Sequence, residues 1–219
     1  MNSDLLHIEL LFSGNYWLKL RRDHRIVGEL IGCLSKRPRQ DILSGLPMLL
    51  QPEEVSLLLE QNIARLVEYS CLQKPPPASL KDAFEEYRNT LFVEQDKLYP
   101  WVGEGDVKLV EWKYPSNSCE ELRYKTFKDF WEKGYYVTNG AKFGGDFLVY
   151  PGDPIMFHSQ FIVQCIDRNK EIPIVELAAQ CRIACHVRKT RVYSMFSTDE
   201  NVIKYQSFQW AESSMLENN

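Results

Sequence analysis

Apolar residues along the chain fall into short blocks separated by glycine, proline and charge, and the spacing within each block predicts an element. The blocks at 5–10 and 15–20, split by Ser13-Gly14-Asn15, predict a hairpin. Arg21 to Ile31 places Ile26, Val27, Leu30 and Ile31 on one face of a helix. Gly45-Leu46-Pro47 leads into an apolar strand at 48–50. Pro52, Glu53 and Glu54 have the proline and acidic character of a first helical turn, predicting a helix to Gln61, and 63–69 predicts another strand. Residues 1–72 are therefore expected to form a small N-terminal α/β domain. Pro75-Pro76-Pro77, within Gln73 to Ser79, predicts a stiff linker and a boundary. Leu80 to Leu98 has helical spacing with mixed charge, and 73–117 as a whole reads as linker and irregular connection.

In residues 118–219 the elements are closely spaced. Ser118 and Glu121 have capping-box spacing for a helix to Lys133, with Tyr124, Phe127 and Trp131 on one face and Gly134 as its stop. A strand at 135–138 and a tight turn at Asn139-Gly140 follow. The stretch KFGGDFLVYPGDPIMFHSQF, Lys142 to Phe161, then predicts a strand ending at Tyr150, a Pro/Gly-rich loop, and a second strand from Phe161 to Cys165. Pro173 opens a helix over Val175 to Cys185, and Arg188–Phe196 with Val202–Trp210 predicts a hairpin around Ser197 to Asn201. The tail from Ser213 is expected to be loose. The fold class is mixed α/β.

Composition adds limits. Hydrophobic content of 44% and charged content of 26% are ordinary for a globular protein, and no apolar run reaches the roughly 20 residues that span a bilayer. The opening MNSDLLHIEL lacks the character of a secretory signal, and six scattered cysteines are expected to be reduced thiols. A net charge of −4 argues against tight unaided binding of nucleic acid, and residues 51–118 carry more acids than bases. Against that background, Arg182, His186, Arg188, Lys189 and Arg191 make a local basic patch. Lys36 to Arg39 reads as a solvated basic turn.

There is no Walker loop, dinucleotide fingerprint, HExxH or paired CxxC. Asp146 and Asp153 make no obvious metal cluster with other carboxylates. Cys181, Cys185 and His186 have a spacing open to a metal, but free cysteine packs as a small apolar residue and a buried helix face is favoured. Tyr150, His158 and Lys189 remain. A histidine exchanges protons near neutrality, a lysine ammonium stabilises a developing anion, and a tyrosine becomes a better base beside a cation. Together they suit a reaction whose nucleophile is already in the substrate, such as an RNA 2′-hydroxyl. Singly, Tyr150 reads equally as packing, His158 as a loop hydrogen bond, and Lys189 as a solvated strand residue.

The stretch GYYVTNGAKFGGDFLVYPGDPIMFHSQF, with VRKT at Val187 to Thr190, resembles the tRNA-splicing endonuclease family. PRQDILSGLPMLLQPEE, Pro38 to Glu54, is similar to its smaller catalytic subunit, the one that cuts the 3′ splice site. The resemblance implies a C-terminal nuclease domain with a mixed sheet flanked by helices. It implies that Tyr150 acts as base or 2′-hydroxyl orienter, His158 as the acid for the 5′-oxygen, and Lys189 as the cation on the phosphorane. It implies neither metal nor cofactor, and products with a 2′,3′-cyclic phosphate and a 5′-hydroxyl. Arg182 and Trp210 are expected to sandwich a substrate base at the other catalytic subunit's site, unless Trp210 packs in the core of the last strand. The implied partners are precursor tRNA, a second catalytic subunit and two non-catalytic ones, paired through the C-terminal strands. The implied compartment is the nucleus, with cytoplasm or mitochondrial surface as alternatives. The connection between the halves is short for that subunit. Two other readings stay open: a non-catalytic subunit of the same assembly, which the intact Tyr150, His158 and Lys189 oppose, and a nuclease acting on other RNAs.

Overall fold

The computed structural model describes residues 10–11, 14–32, 45–69, 107–197 and 199–210. Its first part comprises Leu10–Leu11 (β1), Gly14–His24 (α1), Glu29–Gly32 (β2), Gly45–Leu49 (β3), Pro52–Glu60 (α2), Val67–Tyr69 (β4) and Val107–Leu109 (β5). The first three strands form an antiparallel sheet in the order β1-β3-β2, and β4 pairs antiparallel with β5. Residues 15–20 are helical, not a hairpin arm. Burial there repeats every three to four positions: Trp17 is half-buried and Leu20 buried, while Tyr16 and Leu18 lie open to solvent. The expected helix from Arg21 to Ile31 ends instead at His24. Arg25 takes a left-handed φ of 56°, the Ile26 N–H reaches back to the Leu20 carbonyl at 3.0 Å, and the chain leaves into β2.

The second part comprises Ser118–Glu132 (α3), Tyr136–Asn139 (β6), Phe147–Tyr150 (β7), Phe161–Cys165 (β8), Ile174–His186 (α4), Thr190–Ser197 (β9) and Val202–Phe208 (β10). Five strands form a mixed sheet in the order β10-β9-β8-β7-β6. Only β8 and β9 run parallel, and α4 is the crossover that a parallel pair requires. Strand alternation explains why Phe147–Tyr150 and Phe161–Cys165 carry apolar residues on both faces, Gln164 being the polar exception. Phe147, Val149, Val163 and Val192 turn to the face covered by Phe127 and Phe130 of α3. Leu148 and Ile162 turn to the other face, against Ala184 of α4. Each such fully buried side chain contributes roughly 1.5–3 kcal/mol. Leu20, Ile26, Met48, Leu57 and Leu58 from the first part join the α3-side cluster, so both parts share one core.

Other expectations shift in detail. Asn117, not Ser118, caps α3: its backbone is extended and its Oδ1 accepts the Glu120 N–H at 3.0 Å. The strand expected over 63–69 is confined to β4, and the last strand stops at Phe208, two residues short of Trp210. Cys181 is buried on α4, and no group of three or more metal-ligating residues occurs among the described residues. Among those residues, too, no helix is long and apolar enough to cross a membrane. The predicted basic turn at 36–39, the linker at 73–79, the helix at 80–98 and the tail from 213 lie outside the described residues.

Glu54, on α2, is fully buried within the first part. Its carboxylate accepts N–H bonds from Val27 (3.2 Å), Gly28 (3.0 Å) and Gln51 (2.9 Å). Burial nevertheless dominates and raises its pKa from 4.5 to about 7. The fold thus favours the protonated form. That contribution is fully present below about pH 4.5 and is lost as pH rises to about 7. In urea unfolding, the stability deficit of Glu54→Gln relative to the parent should narrow from about pH 5 to about pH 7. A deficit that is constant or widens contradicts this.

Candidate active site

Tyr150, His158 and Lys189 are gathered at one end of three adjacent strands. Tyr150 ends β7, His158 lies three residues before β8, and Lys189 immediately precedes β9. Because β7 and β8 are antiparallel while β8 and β9 are parallel, these three ends coincide. Backbone hydrogen bonds make the junction. The Gln160 N–H donates to the Val149 carbonyl at 2.9 Å, and the Gln160 carbonyl accepts the Thr190 N–H at 2.9 Å. The Lys189 ammonium donates to the Ser159 carbonyl at 3.1 Å and lies 5.6 Å from the Phe143 ring centroid. Burial holds its pKa below the ordinary lysine value.

Local sequence explains each placement. After α4, Arg188 takes a left-handed φ of 54° and the Lys189 N–H closes on the Ala184 carbonyl at 2.9 Å, which aims the chain into β9. Gly144, at φ 67°, ends the short 3-10 turn Ala141–Phe143 and releases the chain toward β7. Between Tyr150 and His158, the Asp153 carbonyl accepts the Met156 and Phe157 N–H groups at 2.8 and 3.0 Å. A Cβ on Gly152 would lie 2.6 Å from the Phe157 ring, so only glycine lets that ring fold back onto the turn. His158 itself is exposed. Tyr150 is half-buried and forms part of the wall of a cleft of about 1000 Å³, with Phe143, Trp112 and Tyr114 as aromatic neighbours.

Arg182, exposed on α4, stacks on Trp210 at 4.5 Å from the ring centroid, so the two expected partners do meet, and they are closed on each other. The basic patch is smaller than its sequence suggests. Arg182, His186 and Arg188 are exposed, but Arg191 is only 1% exposed. Strand alternation turns Arg191 inward, where it donates to the Gly144 carbonyl (2.9 Å) and to Gln164. Arg21, Glu53 and Arg123 support the site, and the sequence carried no signal for that role, because their partners lie far away along the chain. Arg123 donates to Glu53 at 2.8 Å and to Asp146, and lies 5.0 Å from the Phe147 ring centroid. The other Asp146 oxygen accepts the Cys165 N–H at 2.7 Å, so α2, α3, β7 and β8 are tied to one guanidinium.

The chain is similar to known proteins over both of its parts. Residues 121–205 match the family model of the tRNA intron endonuclease catalytic C-terminal domain, and residues 8–69 match a TSEN34-like N-terminal domain. The human tRNA-splicing endonuclease subunit Sen34 is 42% identical over 105 residues, covering 48% of this chain and 34% of its own length. The probable tRNA-splicing endonuclease subunit sen34 of Schizosaccharomyces pombe is 24% identical over 232 aligned positions, 83% of this chain and 81% of its own. The tRNA-splicing endonuclease of Saccharolobus solfataricus is 31% identical over 105 residues, 48% of this chain and 58% of its own. The matched region thus spans about a third of the human relative.

Arg123→Met keeps the stem of the side chain but leaves Glu53, 1% exposed, with the Tyr114 hydroxyl as its remaining side-chain partner among the described residues. Breaking a buried pair from one side costs about 3 kcal/mol. In urea unfolding, the variant's unfolding free energy should be lower by about that amount, and an unchanged value would mean the clamp carries no stability.

Proposed function

Because both parts of this chain match domains of the tRNA-splicing endonuclease family, we propose that it is a catalytic subunit of such an enzyme, cutting precursor tRNA at the 3′ splice site. The observation that carries the reading is the convergence of Tyr150, His158 and Lys189 at one end of β7, β8 and β9. Tyr150 accepts the proton of the substrate 2′-hydroxyl or orients that group. The 2′-oxygen then attacks the adjacent phosphorus while the bond to the 5′-oxygen breaks. His158 protonates the leaving 5′-oxygen, and the Lys189 ammonium offsets the charge that builds on the phosphorane. The products are a 2′,3′-cyclic phosphate and a 5′-hydroxyl. Base, acid and cation all come from side chains, so the scheme needs no metal ion.

Partner subunits complete the enzyme. The overall charge of −4 and the small basic surface favour an RNA interface shared between chains. A second catalytic subunit and two non-catalytic ones would make a heterotetramer, and β10, at the edge of the five-stranded sheet, supplies the strand for pairing with a neighbour. The expected site of action is the nucleus. Arg182 and Trp210 serve the other catalytic subunit's site. To admit a base, the pair must open from 4.5 Å to about 7 Å, two van der Waals contacts.

Both cuts of one precursor test the reading in the assembled enzyme. His158→Ala should slow the 3′ cut by roughly 10²-fold or more and spare the 5′ cut. The Arg182→Ala/Trp210→Ala pair should show the reverse, weakening the 5′ cut by about 5- to 150-fold, the worth of one stacked base. Equal loss of both cuts in the His158 variant, with the assembly intact, contradicts the assignment to one splice site.

A further inference from the structure

The turn that carries His158 is gripped from the N-terminal part of the chain. Arg21 of α1 and Asp153 are 132 residues apart in sequence, yet Arg21 makes a two-pronged contact with the carboxylate: Nε to Oδ2 at 2.8 Å and Nη2 to Oδ1 at 2.7 Å. The side chains are 12% and 29% exposed. Asp153 is also the organising residue of the turn. Its Oδ1 accepts the Ile155 N–H at 2.8 Å, and its carbonyl accepts the Met156 and Phe157 N–H groups. The next stretch has little else to hold it, since Ile155, Met156, Phe157 and His158 are all exposed.

Arg21 reaches the turn from a firm base. Its guanidinium carbon lies 5.8 Å from the Trp17 ring centroid. Just beyond it, Trp131 of α3 donates its indole N–H to the His24 carbonyl at 2.6 Å, while Arg25 donates to the Trp131 carbonyl at 2.9 Å and stacks over the same ring. Leu20 and Ile26, on either side of these contacts, are in the shared core.

We infer that Arg21 is a positioning residue for the cleavage reaction: through Asp153 it fixes the turn from which His158 delivers its proton. The inference rests on the reading of His158 as the acid. A partly exposed ion pair adds little to global stability. A proton donor misplaced by about 1 Å, however, can cost on the order of 10²-fold in rate. The role therefore predicts a loss in the chemical step that exceeds any loss in folding or RNA binding.

The experiment is a double-mutant cycle on the assembled enzyme with intron-containing precursor tRNA, under single-turnover conditions at saturating enzyme. Arg21→Met keeps the stem against Trp17. Asp153→Asn keeps an oxygen for the Ile155 N–H. Each should slow the 3′ cut by about 10- to 100-fold, with the 5′ cut, the RNA dissociation constant and the melting temperature essentially unchanged. The double variant should be no slower than either single one, because all three lose the same contact. Arg21→Lys, which retains charge without the fork, should recover part of the rate. An unchanged 3′ rate, additive losses, equal slowing of both cuts, or a loss that only tracks melting temperature would each overturn the inference. His158→Ala run beside them separates the two levels. If it slows the 3′ cut and Arg21→Met leaves that rate unchanged, the positioning role alone falls. If it leaves the 3′ cut intact, the reading of His158 falls first.

Discussion

Gln160 is hydrogen-bonded through its backbone on both sides, to Val149 through its N–H and to Thr190 through its carbonyl. Those two bonds bring three strand ends together, and the candidate chemistry depends on them more than on any side-chain contact. Tyr150 follows one bonded residue, Lys189 precedes the other, and His158 stands two residues before Gln160 itself. The parallel pairing of β8 with β9 is therefore a constraint on the site as well as on the sheet. It demands a crossover, α4 supplies it, and the left-handed residue after α4 delivers Lys189 to the junction.

The first part of the chain is joined to this junction by packing and by charge. Its apolar residues enter the same core as α3 and the sheet. Two of its charged side chains, Glu53 on α2 and Arg21 on α1, reach the two ends of the segment that holds Tyr150: Glu53 through Arg123 to Asp146 before β7, and Arg21 to Asp153 after it. The N-terminal elements thus bear on the geometry of the site, although none of their residues belongs to the proposed chemistry.

Much of this was legible in the sequence, and the reasons differ by element. The two central strands are buried on both faces, so their short apolar runs between Gly/Pro clusters were plain, and a turn rich in proline and glycine marked the loop between them. The residues of the site carried the family resemblance as a block. The N-terminal helix was obscured because Tyr16 and Leu18 are apolar yet exposed, which imitates a strand of alternating pattern. Arg191 looked like surface charge because burial on a strand follows from its register with neighbours, which local spacing does not show. Long-range pairs such as Arg21 with Asp153 have no local signature at all; only the folded chain brings them within hydrogen-bonding distance.

If the nucleophile is the substrate's own 2′-hydroxyl, a precursor tRNA carrying one 2′-deoxyribose immediately 5′ to the 3′-splice-site phosphate should resist cleavage there. The same molecule should still be cut at the 5′ site, and the all-ribose precursor should yield a 2′,3′-cyclic phosphate at both. Cleavage of the deoxy-substituted bond at the normal rate, leaving a 3′-hydroxyl and a 5′-phosphate, would contradict the roles given to Tyr150, His158 and Lys189.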